Sequence, residues 1–209
     1  MDNYEQFSKM NVIESIATRR SLYELDHKIK ITPKQFRDFI ALAQTNAPSP
    51  VNSQSTRIIV LTDAAHQKHW DEVEKILANI IPSEKFAPTA TKLAKFRAAY
   101  ATILLFEDGN VVNDLQNKYP LYATKYPDWA HQANAMLQYA LWVGFESMGL
   151  GVSIQHYNPL IDEMVQQNWG APATWQLITE MVVGNPLVPA KEKMILPLTE
   201  RLQFIDTIE

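Results

Sequence analysis

The chain has no cysteine among its 209 residues. Disulfides, thiol nucleophiles and thiolate metal sites are therefore excluded, and the composition suits a reducing, cytoplasmic setting. Glycine is scarce, with six residues, and none falls in a G-x-G-x-x-G or Walker A spacing, so neither glycine-rich phosphate loop is present. There is no G-x-S-x-G or other nucleophile setting, and no convincing acid–base pair. An excess of positive charge is also missing. Lys and Arg total 19 against 23 Asp and Glu, a net charge of −4 with no long basic run, which removes the usual electrostatic footprint of nucleic-acid binding. No run approaches the roughly 20 apolar residues of a membrane span. The opening MDNYEQFSKMN is polar and lacks an apolar h-region, so no signal peptide is expected. Either a cofactor carries the chemistry of this protein, or there is none.

What is present is a globular composition, 46% hydrophobic and 20% charged, able to bury a core without staples. No internal repeat, low-complexity tract or linker is visible, so residues 1–209 read as one domain. NVIESIAT (11–18) predicts a short helix ending at Arg19-Arg20. ITPKQFRDFIALAQT (31–45) predicts another, capped by Thr32, with Pro33 in its first turn and a stripe of Phe36, Phe39, Ile40 and Ala43. A strand is expected at 57–62. A helix follows at 63–81 with Asp63 as its cap, and then a partly helical stretch at 83–99 interrupted by Pro88. ATILLFED (101–108) is apolar enough for a strand buried on both faces. Residues 127–148 form the most apolar helix, expected to be central with little solvent contact, and GLG (149–151) stops it. A strand at 152–158, a helix at 159–168, a helical turn near 172–175, a strand at 175–186 and an extended tail complete an α+β pattern.

Five features could carry function, each with a plainer reading beside it. Arg19-Arg20-Ser21 can hold a phosphate through charge-assisted bonds, or can simply cap a helix C-terminus with cations. In NAPSPVNSQ (46–54), two prolines stiffen a loop in which Ser49, Asn52 and Gln54 offer donors and acceptors suited to the edge of a heterocycle; turn chemistry before a strand is the alternative. GLGVSIQHYNP (149–159) ends a strand in Gln155, His156, Tyr157 and Asn158, which form either a pocket floor or a satisfied histidine beside an edge tyrosine. In KEKMILPLTER, Lys193 or Arg201 could add a cation to a phosphate, or belong to a solvated tail. His66 and His69, at i, i+3 on one helix, could bind a metal, although a solvated helix face is the commoner meaning.

Taken in order, four of these features resemble the nitroreductase-like family of FMN-dependent oxidoreductases. The family pattern of R-R-S, P-S-x-x-N-S-Q, a long apolar helix, G-L-G and a late basic position is matched by Arg19-Arg20-Ser21, Pro48 to Gln54, Gly149-Leu150-Gly151 and the cations of the tail. NSQSTRIIVL, HQKHWD, ILLFED and IQHYNPLID resemble a branch with fungal fatty-acid-repression proteins and small bacterial nitroreductases. Two departures stand out: Ser55-Thr56 replaces the Pro-Trp of many relatives, and His156 to Pro159 replaces a glycine-containing loop.

The resemblance implies a three-layer fold with a central, mostly antiparallel sheet, and a homodimer that exchanges its tails and holds one FMN at each end of the interface. It implies that Arg19, Arg20 and Ser21 hold the phosphate and ribityl chain, and that Lys193, or with it Arg201, completes the phosphate site. Pro48, Ser49, Asn52 and Gln54 would reach the flavin from the partner subunit. Gln155, His156, Tyr157 and Asn158 would lie along the ring and offer a main-chain N–H near its N5. It also implies NADH or NADPH as donor and small aromatic acceptors, nitroaromatics or quinones, in a ping-pong reaction; the alternative is a flavin-binding sensor with little turnover.

Overall fold

A computed structural model describes residues 11–206; the N-terminal stretch read for a signal peptide lies almost wholly outside the described residues. The centre of the fold is β3 (Ala101–Asp108), all eight residues of which are buried. It pairs antiparallel with β2 (Thr56–Thr62) on one side and with β5 (Trp175–Pro186) on the other. The register with β5 shifts between Leu105 and Phe106. Strand β5 also pairs antiparallel with β4 (Gly151–Gln155) and, at its end, with the two-residue β1 (Leu25–Asp26).

Alternation along the central strands divides the apolar residues between two cores. Ala101, Ile103, Leu105, Met181 and Val183 face one core, where they meet Phe36 and Ile40 of α2 (Pro33–Asn46) and Leu137, Leu141 and Phe145 of α6 (Tyr126–Ser147). Leu104, Phe106, Leu177 and Val182 face the other. There they pack on Trp70, Val73 and Leu77 of α3 (Asp63–Ile80), Leu93 and Phe96 of α4 (Ala87–Arg97), and Met164 and Val165 of α7 (Asp162–Trp169). Helix, sheet and helix therefore form the three layers expected. A Cβ at Gly144 of α6 would fall 2.0 Å from Phe39 Cζ, so the missing side chain there is what lets α2 lie against α6. Among the described residues no helix is long and apolar enough to cross a membrane.

Local signals explain most element boundaries. Thr32 caps α2 in a reciprocal capping box with Gln35, and Asn11 caps α1 (Val12–Thr18) through the Glu14 N–H. Helix α6 ends where Gly149 adopts φ +74°. Four expectations need correction. Thr62, not Asp63, occupies the cap position of α3, and Asp63 is its first residue at φ +50°. Pro88 sits in the first turn of α4 and begins that helix rather than interrupting one, because proline is tolerated where no intrahelical N–H is needed. Helix α5 (Gly109–Lys118) was not anticipated; Val112 and Leu115, at i, i+3, form its short apolar stripe against Tyr126 and Ala130. Helix α6 is not enclosed within one chain, since Met136 and Tyr139 are exposed.

The histidine pair is also corrected, because it is not a solvated face. His66 and His69 are both buried. His66 Nδ1 lies 2.9 Å from Thr102 Oγ1, which also accepts from Trp70 Nε1 at 2.8 Å. Trp169 Nε1 donates to His69 Nδ1 at 3.3 Å. Burial lowers the two imidazole pKa values from 6.5 to about 4 for His66 and about 3 for His69. Both rings are therefore neutral in the fold, whereas in the unfolded chain each takes up a proton below about pH 6.5. Their contribution to stability is present above pH 6.5 and is lost as the pH falls towards 4 and 3. Glu180, whose pKa is raised to about 8, works in the opposite direction, so the imidazole effect is isolated by comparing variants. The stability gap between the wild type and His69→Gln, measured by urea unfolding, is expected to shrink by about 2 kcal/mol between pH 7 and pH 5; a gap independent of pH would refute the buried neutral imidazole.

Candidate functional site

Arg19, at the C-terminal cap of α1, begins a segment that runs beside β4. Ser21 forms a parallel bridge with Val152, and the Leu22 N–H donates to the Val152 carbonyl at 3.0 Å. The close approach depends on Gly151, where a Cβ would lie 2.5 Å from Leu25 Cδ2 and 3.1 Å from Leu22 Cδ1. The GLG motif therefore acts twice: Gly149 turns the chain at the end of α6, and Gly151 admits the segment bearing Arg19, Arg20 and Ser21.

Beyond that segment opens a cleft of about 740 Å³, within the range of small-ligand sites. Arg19, Arg20, Ser21 and Lys193 line it together with Lys92, Lys95 and Lys191. The Arg19 guanidinium stacks over the Trp142 ring, 4.3 Å from its centroid. Stacking occupies the face of the guanidinium and leaves its N–H donors on the edge, so the contact pre-orients the group for an anion. Lys95 pairs with Glu24. The sequence reading missed Lys92 and Lys95; their signal was the i, i+3 spacing in KLAK, once the helix is known to continue through it. Arg201 is not among the residues lining this cleft, and its guanidinium donates to the Leu196 carbonyl at 3.2 Å.

None of residues 155–158 lines this cleft; the loop after β4 is joined to it through Lys92, whose Nζ lies 5.9 Å from the Tyr157 ring centroid. Gln155 is buried and its Nε2 has no hydrogen-bond partner, whereas His156 is exposed. Three ties hold the loop to β5. Thr179 Oγ1 donates to the Gln155 carbonyl at 2.9 Å, Asn158 Nδ2 donates to the Leu177 carbonyl at 3.1 Å, and the Tyr157 N–H reaches the Glu180 carboxyl. The Tyr157 N–H thus already has an acceptor. Burial, reinforced by Glu180, pushes the Tyr157 phenol up to about 12, so it stays protonated across the working range.

The polar loop lies elsewhere. Pro48, Ser49 and Gln54 line a second cleft of about 240 Å³, which shares no lining residue with the first, and Asn52 is exposed nearby. Val51, Asn52 and Gln54 adopt φ of +55°, +53° and +52°. Such left-handed non-glycine residues cost about 1–3 kcal/mol each, and the β-branched Val51 is the least tolerant of them. Rigid ties hold the strained path. The Gln54 N–H donates to Ser49 Oγ at 2.9 Å, and Arg57 Nη1 donates to the Gln54 carbonyl at 2.6 Å while Nη2 pairs with Asp108 at 3.0 Å. Gln44 Oε1 and the hydroxyls of Ser53 and Ser55 are buried without a partner. Among the described residues, no group of three or more His, Cys, Asp or Glu is placed to hold a metal ion.

Comparison with known proteins gives these features a family. The nitroreductase family model matches residues 16–185. Among solved structures, nitroreductase CinD from Lactococcus lactis in complex with chloramphenicol superposes with a TM-score of 0.85 at 36% identity, over 94% of this chain and all of that one. Two Saccharomyces cerevisiae proteins are similar in sequence: HBN1, 29% identical over 87% of this chain and 91% of that protein, and the nitroreductase FRM2, 26% identical over 88% and 92%. A fold relative from Exiguobacterium sibiricum, 15% identical with a TM-score of 0.68 over 95% of this chain and 99% of that one, was solved in complex with FMN. With the family model spanning most of the chain, this protein belongs to the nitroreductase family.

Proposed function

We propose that the protein is an FMN-dependent oxidoreductase that takes electrons from NADH or NADPH and reduces small nitroaromatics or quinones. The observation that carries this reading is the cleft itself, where Arg19, Arg20, Ser21, Lys92 and Lys193 line one space and Lys92 reaches the Tyr157 ring of the strand-end loop. The donor set fits a phosphorylated, planar, polar cofactor. Cations gather at one place, and Gln155 Nε2 is a buried donor without a partner within the chain. The CinD complexes with chloramphenicol and 4-nitrophenol, two nitroaromatics, support the choice of acceptor class.

FMN, held by these residues, would supply the redox chemistry that links a nicotinamide donor to the second substrate. The chain's own residues bind and orient. Arg19 and Arg20, with Ser21 and Lys193, hold the phosphate through charge-assisted bonds. Gln155 and its neighbours set the edge of the ring, with Tyr157 excluded as main-chain donor because its N–H serves Glu180. No side chain is required as a proton donor, in keeping with the lack of an acid–base pair.

The remaining contacts come from a second copy in this reading. Val12, Ile13 and Ile16 of α1 and Met136 and Tyr139 of α6 are exposed, and a groove of about 340 Å³ runs between the two helices. The tail adds exposed Met194, Ile195 and Phe204. Apolar surface of this extent marks an interface. A two-fold dimer covers it, lays each tail across its partner and brings the strained loop of one subunit, with Pro48, Ser49, Asn52 and Gln54, to the cofactor of the other.

Three outcomes test this reading. Purified protein is expected to be yellow and to bleach on anaerobic addition of NADH or NADPH, then recover with a nitroaromatic or quinone; a bound flavin that neither nicotinamide reduces would refute the enzyme reading. The double variant Arg19→Ala, Arg20→Ala is expected to lose about 1.5–3 kcal/mol of FMN affinity per guanidinium, and unchanged affinity by fluorescence titration would refute the phosphate assignment. The pair Met136→Glu and Tyr139→Glu is expected to sediment as a monomer that no longer retains FMN; a wild type that sediments as a monomer with FMN bound would refute the shared site.

A further inference from the structure

We propose that Glu180, in the middle of β5, is a positioning residue for the cofactor: its carboxyl holds the main chain at Tyr157, and the charge on that carboxyl sets how strongly the adjoining cleft binds FMN. The inference rests on the functional reading above and adds to it a residue outside the cleft.

The geometry is specific. Glu180 has no solvent exposure. It pairs with Gln155 of β4 and Leu104 of β3, so it is flanked by strands on both sides. Both carboxyl oxygens face the Tyr157 N–H, at 3.2 and 3.3 Å. Tyr157 lies between His156 and Asn158 in the strand-end loop, and its ring has Trp70 at 6.0 Å on one side and, at 5.9 Å, Lys92, which itself lines the cleft. A change at Glu180 is therefore transmitted through one hydrogen bond to the loop and through the Tyr157 ring to a cleft cation.

A carboxyl inside a strand this apolar has no packing purpose that Leu or Val would not serve better. It is also poised to change charge. Burial pushes its pKa up from 4.5 to about 8, with Asp162 adding to the rise and the Tyr157 N–H opposing it. His66 and His69 are neutral above about pH 4, and the Tyr157 phenol ionises only near 12. Below pH 8 the carboxyl is neutral and its bond to the Tyr157 N–H is an ordinary one. Above pH 8 it is a buried anion, which tightens that bond and places negative charge behind a cleft that must accept a phosphate.

The test is FMN binding from pH 6.5 to 9, followed by flavin fluorescence, with wild type and Glu180→Gln, whose amide reproduces the neutral form. The wild-type Kd is expected to rise at least threefold with a midpoint near pH 8, and the Kd of Glu180→Gln to stay flat. In cofactor-free protein, amide exchange over 155–158 is expected to be at least tenfold faster in Glu180→Ala than in wild type, with thermal unfolding at pH 7 confirming that the variant is folded. A wild-type Kd without inflection overturns the inference even if neither variant folds. So does an inflection that persists in Glu180→Gln, or loop exchange unchanged in a folded Glu180→Ala. Wild type that binds no FMN at any pH overturns the functional reading itself, and this inference with it.

Discussion

Burial of β3 on both faces is the constraint from which the architecture follows. A strand whose eight residues all lie below the surface needs a helical layer above and another below. It also needs a paired strand on each edge, because no water reaches its backbone groups. Strands β2 and β5 satisfy the edges, α2 with α6 covers one face, and α3, α4 and α7 cover the other. An apolar core results on each face, and buried polar residues such as Thr102, between His66 and Trp70, make internal bonds.

The site is built where this sheet runs out. Strand β4 is short, and beyond Gln155 its chain must turn away while still tied to β5 through Thr179, Leu177 and Glu180. On the other edge of β4, the segment carrying Arg19, Arg20 and Ser21 is drawn in by the Val152 bond and admitted by the bare Cα of Gly151. The cation segment is therefore held by a main-chain hydrogen bond, and the loop by the side chains of Thr179, Asn158 and Glu180.

The strained loop at Pro48–Gln54 follows the same principle. Three non-glycine residues in the left-handed region are a standing cost, and the Ser49, Arg57 and Asp108 contacts preserve it. Within one chain the loop faces a different cleft from the arginines.

Sequence by itself determined the elements whose signals are local. The capping box at Thr32, the doubly apolar run of β3, the GLG stop and the ordered R-R-S and P-S-x-x-N-S-Q motifs are all written in contiguous residues, and the α+β class and family could be read from them. Whatever depends on residues far apart in the chain was decided only by tertiary structure. His66 and His69 look solvated until β3 and Trp169 close over them. Lys92 and Lys95 look like an ordinary helix surface until the chain at Arg19–Glu24 passes beside α4. Glu180 looks like a polar interruption in a strand until the Tyr157 N–H is found above it. The reason is physical: helix caps, turns and alternation arise from interactions over a few residues, whereas burial, pKa shifts and convergent charge arise from neighbours that only the folded chain brings together.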